Sequence, residues 1–219
     1  MSDFPSRASW GCVIGRFQPF HQDHFTLVME AYQHHGRVIV AITNADPTWQ
    51  VSVREAPHRH LPASNPFTYW QRHEMICAAL KGIIPSDALR IVPFPMHDQS
   101  LWPFYLPGDV ECWVRNRGAW EERKIEELRS RFVVRILPAL PGEVSGTEVR
   151  RLLASSGHSQ THEAVHEATP EATREATPEA TLDADMLWRA LVPGPVADCI
   201  ERWRLDGSWP LATLASRSS

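Results

Sequence analysis

A parallel α/β sheet of about five strands, with helices on both faces and a further helix at the C-terminal end, is the fold class this 219-residue sequence predicts. Three observations predict it. Short β-branched runs alternate with helix-like stretches, the pattern that places crossover helices on a parallel sheet. One run, RVIVAIT at 37–43, is apolar enough to be buried on both faces. Length and a hydrophobic content of 43% suit one globular domain with additions.

The elements follow in order. CVIG at 12–15 reads as the first strand. A helix opens near His21 and continues through TLVMEAYQHH, with Phe25, Val28, Met29 and Tyr32 on one face. RVIVAIT is the second strand, and a polar, proline-containing loop fills 44–66. TYWQRHEMICAALKG at 68–82 is a helix, with Thr68 as its cap and Gly82 near its end. LRIVPFP, DVECWV and FVVRILP supply the third, fourth and fifth strands, and AWEERKIEELRSR a charged surface helix between the last two. In LWRALVPGPVADCIERW the spacing of Val196, Ile200 and Trp203 suits a terminal helix docked on the domain. These readings divide the chain into an α/β domain at 1–157, an acidic low-complexity loop at 158–185, a helical segment at 186–206 and a loose tail at 207–219.

Charge narrows the function classes. The formal charge of −4 argues against a general nucleic-acid binder. The acidity belongs to the loop: EATP, EATR, EATP, EATL from Glu167 onward, with prolines at 170 and 178 that break a helix, reads as disordered. Cys12, Cys77, Cys112 and Cys199 form no CxxC pair, so a zinc site is not expected, and they read as reduced, mostly buried thiols of a cytoplasmic protein. No signal peptide or membrane-spanning run is visible.

Two motifs carry chemistry. Gly15-Arg16 leaves the first strand and leads to His21-x-x-His24 at a helix start. Helix N-terminal N–H groups and the helix dipole favour anions there, and ligands of parallel sheets bind beyond the carboxyl ends of the strands. Gly15 permits close backbone approach or positive φ. Residues three apart share a helix face, so the two imidazoles would project together over a phosphate. The second motif is VSGTEVRRLL at 144–153, where Ser145 and Glu148 form an S-x-x-E helix start. Arg150 and Arg151 stand in its first turns, where the dipole disfavours cations unless an anion also sits there. Ser145, Thr147 and Arg150 would then face a polyphosphate.

Together the motifs resemble the His-x-x-His nucleotidyltransferase superfamily, which is Rossmann-like, and more closely its archaeal-type nicotinamide-mononucleotide adenylyltransferases. The resemblance rests on GRFQPFH at 15–21, NPFTYWQRHEMI at 65–76, SGTEVRRLL at 145–153 and LVPGPVADCI at 191–200. It covers roughly 10–157 and 186–204. It implies adenylyl transfer from ATP to nicotinamide mononucleotide, with Mg²⁺ bridging phosphate oxygens. Arg16, His21 and His24 would act on the reacting phosphates. Gly15, Phe17, Gln18, Ser145, Gly146, Thr147 and Arg150 would bind ATP. Trp102 would stack the nicotinamide ring, with Gln99 and Asn116 also on the acceptor side; the alternative for Trp102 is a core position. Members of the family assemble, so a homo-oligomer is compatible.

The chain also departs from that pattern. Asp23 replaces the family's glycine between the histidines' flanks, Arg115 replaces a glycine after the fourth strand, and Ser64 stands where a basic residue is expected, with Arg54 or Arg59 as replacements. Asp23 would point outward, assist a metal or weaken nucleotide binding. These departures fall on the acceptor side. Two other readings therefore stay open: nucleotidyl transfer from ATP or CTP to another phosphorylated acceptor, and a non-catalytic nucleotide-binding protein.

Overall fold

Strand pairing sets the architecture. The computed structural model describes residues 9–46, 60–156 and 185–208. Within them, β1 (Trp10–Gly15), β2 (Val38–Thr43), β3 (Leu89–Phe94), β4 (Val110–Arg115) and β5 (Val133–Leu137) form one sheet in the order β3-β2-β1-β4-β5. All four pairings are parallel, so the expected Rossmann-like α/β class is what the chain adopts. β1 is central, and every residue of β2 and β4 is buried. Pro93 is tolerated in β3 because that strand lies at an edge.

Local sequence accounts for the helix boundaries. In α1 (Gln22–His35), Gly36 ends the helix in the left-handed region, φ 72°, and its N–H donates to the Tyr32 carbonyl. In α2 (Tyr69–Leu80), Thr68 and Gln71 cap each other: Gln71 N–H donates to Thr68 Oγ1 at 3.1 Å and Thr68 N–H to Gln71 Oε1 at 3.0 Å. The charged helix is α3 (Ala119–Arg129), the late motif opens α4 (Gly146–Ser156), and α5 (Gly194–Leu205) closes the described chain.

Alternation along β1 separates two cores. Val13 packs with Leu27 and Val28 of α1, Met75 and Ile76 of α2, Leu152 of α4 and Ile200 of α5. Cys12 and Ile14 face the other side with Ile125 and Leu128 of α3. Helices thus cover both faces. Val196, Ile200 and Trp203 are buried as their spacing predicts, and α5 rests on α2, with Trp203 near Phe67. Cys12, Cys112 and Cys199 are buried free thiols, whereas Cys77 is exposed. No helix among the described residues is long and apolar enough to cross a membrane. Arg54, Arg59 and nearly all of the acidic 158–185 loop lie outside the described residues.

Candidate active site

The order of the sheet creates the site. Chain connections run one way from β1 to β2 and β3, and the other way to β4 and β5, so the loops beyond β1 and β4 part and leave a crevice. A cleft of about 510 Å³ opens there. It is lined by the early turn (Gly15, Arg16, Phe17, Gln18, His21, His24) and by the late one (Ser145, Gly146, Thr147, Arg150).

The two turns touch. Arg150 Nη1 donates to the Gln18 carbonyl at 2.6 Å and Nη2 to Thr147 Oγ1 at 3.1 Å. A Cβ on Gly146 would lie 2.9 Å from that same carbonyl, so the second helix start reaches the first only because residue 146 has no side chain. Ser145 Oγ accepts the Glu148 N–H at 3.1 Å, which makes Ser145 the cap that its spacing predicts.

The imidazoles are held as a pair. His21 precedes α1, and its N–H donates to His24 Nδ1 at 3.4 Å. The rings stack with centroids 3.6 Å apart. His21 is 1% exposed, and its Nδ1 has no hydrogen-bond partner among the described residues. Burial, then the charges of Arg117 and Arg150, hold its pKa down at about 3. His24 is also driven well below the usual histidine range, by burial, then by His21, Arg117, Lys124 and Arg16. Both rings are therefore neutral at neutral pH, each with an N–H to give.

Of the two roles expected of Gly15, positive φ is not used. Its φ is not in the left-handed region; a Cβ there would instead strike the Phe17 ring at 2.9 Å. That ring is buried and meets the edge of His24, with centroids 4.8 Å apart. The Gln18 side chain is used structurally: its amide closes both hydrogen bonds of the Phe67 backbone, each at 2.9 Å. Its contribution to the cleft is its carbonyl. Arg16 Nη1 donates to the Ser64 carbonyl at 3.2 Å and to Asn65 Oδ1 at 3.4 Å, which joins the NPFT segment to the early turn.

The acceptor-side expectations are corrected at two residues. Trp102 is fully buried between Phe94 and Phe132, 5.4 and 5.7 Å away, and its Nε1 donates to the Pro95 carbonyl. It belongs to the core under α3 and does not line the cleft. An indole whose faces and N–H are already satisfied has nothing left to offer a ligand ring. Asn116 does not line the cleft either; its Oδ1 accepts the Gly118 N–H and shapes the turn before α3. Gln99 does line it, beside His97, Trp120, Arg123 and Lys124.

Asp23 points inward, not outward. It is 7% exposed and accepts from Arg117 Nη2 at 2.7 Å and from the Val144 N–H at 3.1 Å. Arg117 also pairs with Glu143 at 3.0 Å. Burial pushes the Asp23 carboxyl up while Arg117 opposes that shift. One carboxylate thus ties together α1, the β4–α3 turn and the approach to α4. Arg117 and Lys124 were not singled out by sequence. The usable signal for Arg117 was its place just beyond the carboxyl end of β4; Lys124, whose Nζ lies 2.5 Å from the Ile14 carbonyl, looked like ordinary surface charge.

Neutral imidazole N–H groups beside the charges of Arg117 and Arg150 make a site that suits an anion. With a second helix start aimed at the same space, the class this defines is an α/β nucleotidyltransferase. Comparison with known proteins agrees. The chain is 33% identical over 153 residues to the phosphonoformate cytidylyltransferase of Streptomyces viridochromogenes, a match covering 67% of this chain and 82% of that protein. It is 30% identical over 151 residues to the nicotinamide-nucleotide adenylyltransferase of Saccharolobus solfataricus, covering 66% and 79%. Among solved structures, a bifunctional NMN adenylyltransferase/ADP ribose pyrophosphatase from Francisella tularensis shares the fold with TM-score 0.51 at 19% identity, over 69% of this chain and 43% of that longer one. No protein-family model matches. The chain belongs to the nucleotidyltransferase family that includes the archaeal nicotinamide-nucleotide adenylyltransferases and the Streptomyces cytidylyltransferase.

Proposed function

We propose that the chain transfers a nucleotidyl group from a ribonucleoside triphosphate to an oxyanion of a small phosphorylated or phosphonate acceptor, releasing pyrophosphate. The observation that carries this is the contact of the two helix starts, Gly146 and Arg150 against the Gln18 carbonyl, with both imidazoles in the same cleft. The acceptor oxygen attacks the α-phosphorus, a new P–O bond forms, and the α–β bridging bond breaks. A phosphate monoester is largely ionised at neutral pH, since its second pKa is about 6, so no protein base is needed. The work left is alignment of two anions and neutralisation of charge. His21 and His24 donate N–H groups to the α-phosphate oxygens, with Arg16 beside them. The α4 N-terminus, Ser145, Thr147 and Arg150 hold the β- and γ-phosphates.

Mg²⁺ fits as an ion carried on the nucleotide, where it supplies charge neutralisation. Asp23 is already committed to Arg117 and Val144, so the helix starts hold no ready carboxylate cage. The His34, His35 and Glu111 grouping has metal-ligand chemistry, but Arg135 pairs with Glu111 at 3.1 Å and approaches His34 at 3.3 Å.

For the acceptor, a small anion with CTP as donor is favoured. Trp102 is unavailable as a ring platform, and Arg123 and Lys124 line the cleft. The highest-identity relative reported above is a cytidylyltransferase named for phosphonoformate. ATP with nicotinamide mononucleotide is the second reading, supported by the archaeal relatives. A panel of ATP and CTP against nicotinamide mononucleotide and phosphonoformate, read by pyrophosphate release, separates them. CTP with phosphonoformate is expected to be fastest, and His21→Ala to lower it about a hundredfold. A fully folded wild-type protein silent with every pair overturns the proposal.

A further inference from the structure

Behind the cleft, α2 carries a charge that none of the chemistry above uses. Arg72 is 1% exposed, and among the described residues its guanidinium bonds only to backbone carbonyls. Nη1 donates to Arg16 at 2.8 Å and to Thr43 at 2.7 Å, Nη2 to Asn44 at 2.8 Å, and Nε to Thr68 at 3.2 Å. Among the described residues no carboxylate pairs with it. Burial lowers its pKa to about 10, which still leaves it charged at neutral pH. A buried cation with no ion partner is costly, and such groups are rarely kept without a reason.

Its acceptors supply the reason. Arg16 follows the last residue of β1, Thr43 is the last of β2, and Asn44 follows it. Each strand is followed within two residues by a left-handed non-glycine residue, Phe17 with φ 53° and Asn44 with φ 52°. Such conformations persist only where the surroundings enforce them. Asn44 and Phe17 both line the cleft, and the Phe17 ring sets the position of His24. We propose that Arg72 is a positioning residue for nucleotidyl transfer: from behind the carboxyl edge of the sheet it pins the turns after β1 and β2, and through them sets Arg16 and the Phe17–His24 contact. A planar fork reaches four separated carbonyls at once; the compact ammonium of lysine does not. The proposal rests on the cleft being a nucleotidyl-transfer site.

The test compares full-length wild type with Arg72→Lys and Arg72→Gln. Three measurements are made: melting temperature, the ¹⁵N shifts of the His24 ring, and kcat and KM for the triphosphate. In folded Arg72→Lys the His24 shifts should move, and kcat should fall about thirtyfold with KM changed less than about threefold. A folded variant with unaltered ring shifts and wild-type kcat overturns the proposal, and so does a kcat loss that only follows loss of fold. Should neither variant fold, the Arg72 side-chain N–H signals of wild type are followed on adding a non-hydrolysable triphosphate. Displacement of those signals supports the clamp, and their invariance overturns it. The ring shifts and side-chain signals need no turnover, so a wild type silent in the donor–acceptor panel leaves the two claims distinguishable.

Discussion

Replacing Gly146 by alanine tests the central contact with a single methyl group. The added Cβ would stand 2.9 Å from the Gln18 carbonyl oxygen, whereas it needs about 0.3–0.5 Å more for ordinary contact. The atom it meets is backbone, in a turn closed by the Gln18–Phe67 hydrogen bonds, so it cannot swing aside like a side chain. Overpacking of this kind costs about 1–3 kcal/mol. The strain is relieved by sliding α4 away from α1, which separates the groups that hold the two ends of the triphosphate. A displacement approaching 1 Å lowers transfer about a hundredfold, so a smaller one should cost about tenfold. Urea unfolding and steady-state pyrophosphate release measure the two effects. Gly108→Ala, where a Cβ meets nothing within 4 Å, is the matched control and should leave turnover intact. If Gly146→Ala keeps both wild-type stability and wild-type turnover, the two helix starts do not grip one substrate and the reasoning is wrong.

Other expectations follow from the same geometry. Trp102→Ala should lower stability by about 3–5 kcal/mol in denaturant, while Trp102→Phe should leave the acceptor KM within about twofold, because the indole fills core space and meets no ligand. His21 binds its proton less readily folded, at about pH 3, than unfolded, near 6.5, so the unfolded chain takes up more protons in that window. Stability is therefore fully present above about pH 6.5 and lost as pH falls toward 3, by about 1 kcal/mol at pH 5.5; thermal melts of wild type and His21→Gln should diverge accordingly. Bound triphosphate favours the protonated rings, so its stabilising effect should grow over the same descent. Asp23→Asn should cost about 1–2 kcal/mol of stability yet tighten triphosphate binding by calorimetry, since a negative charge leaves the site while Glu143 still holds Arg117.

Sequence by itself determined the elements and the two motifs that line the cleft. Those features are local: a β-branched run, a threonine cap, a Ser-x-x-Glu helix start and a Gly-Arg turn each act within a few residues. Tertiary structure decided what each side chain is for. Trp102 looked equally suited to a ligand or to the core, and only the arrival of Phe132 over its ring made it core. Asp23 could be placed beside the phosphates, but its partner Arg117 is 94 residues away, so neither its direction nor its linking role was visible locally. Gly15 and Gly146 were noticed as glycines, yet the reasons for them, the Phe17 ring and the Gln18 carbonyl, exist only after folding. Arg72 passed as one more helix charge until β1 and β2 delivered their terminal carbonyls to it. Hydrogen-bond spacing along a chain is written in the order of residues; burial and long-range pairing are properties of the packed sheet, and they assign the roles.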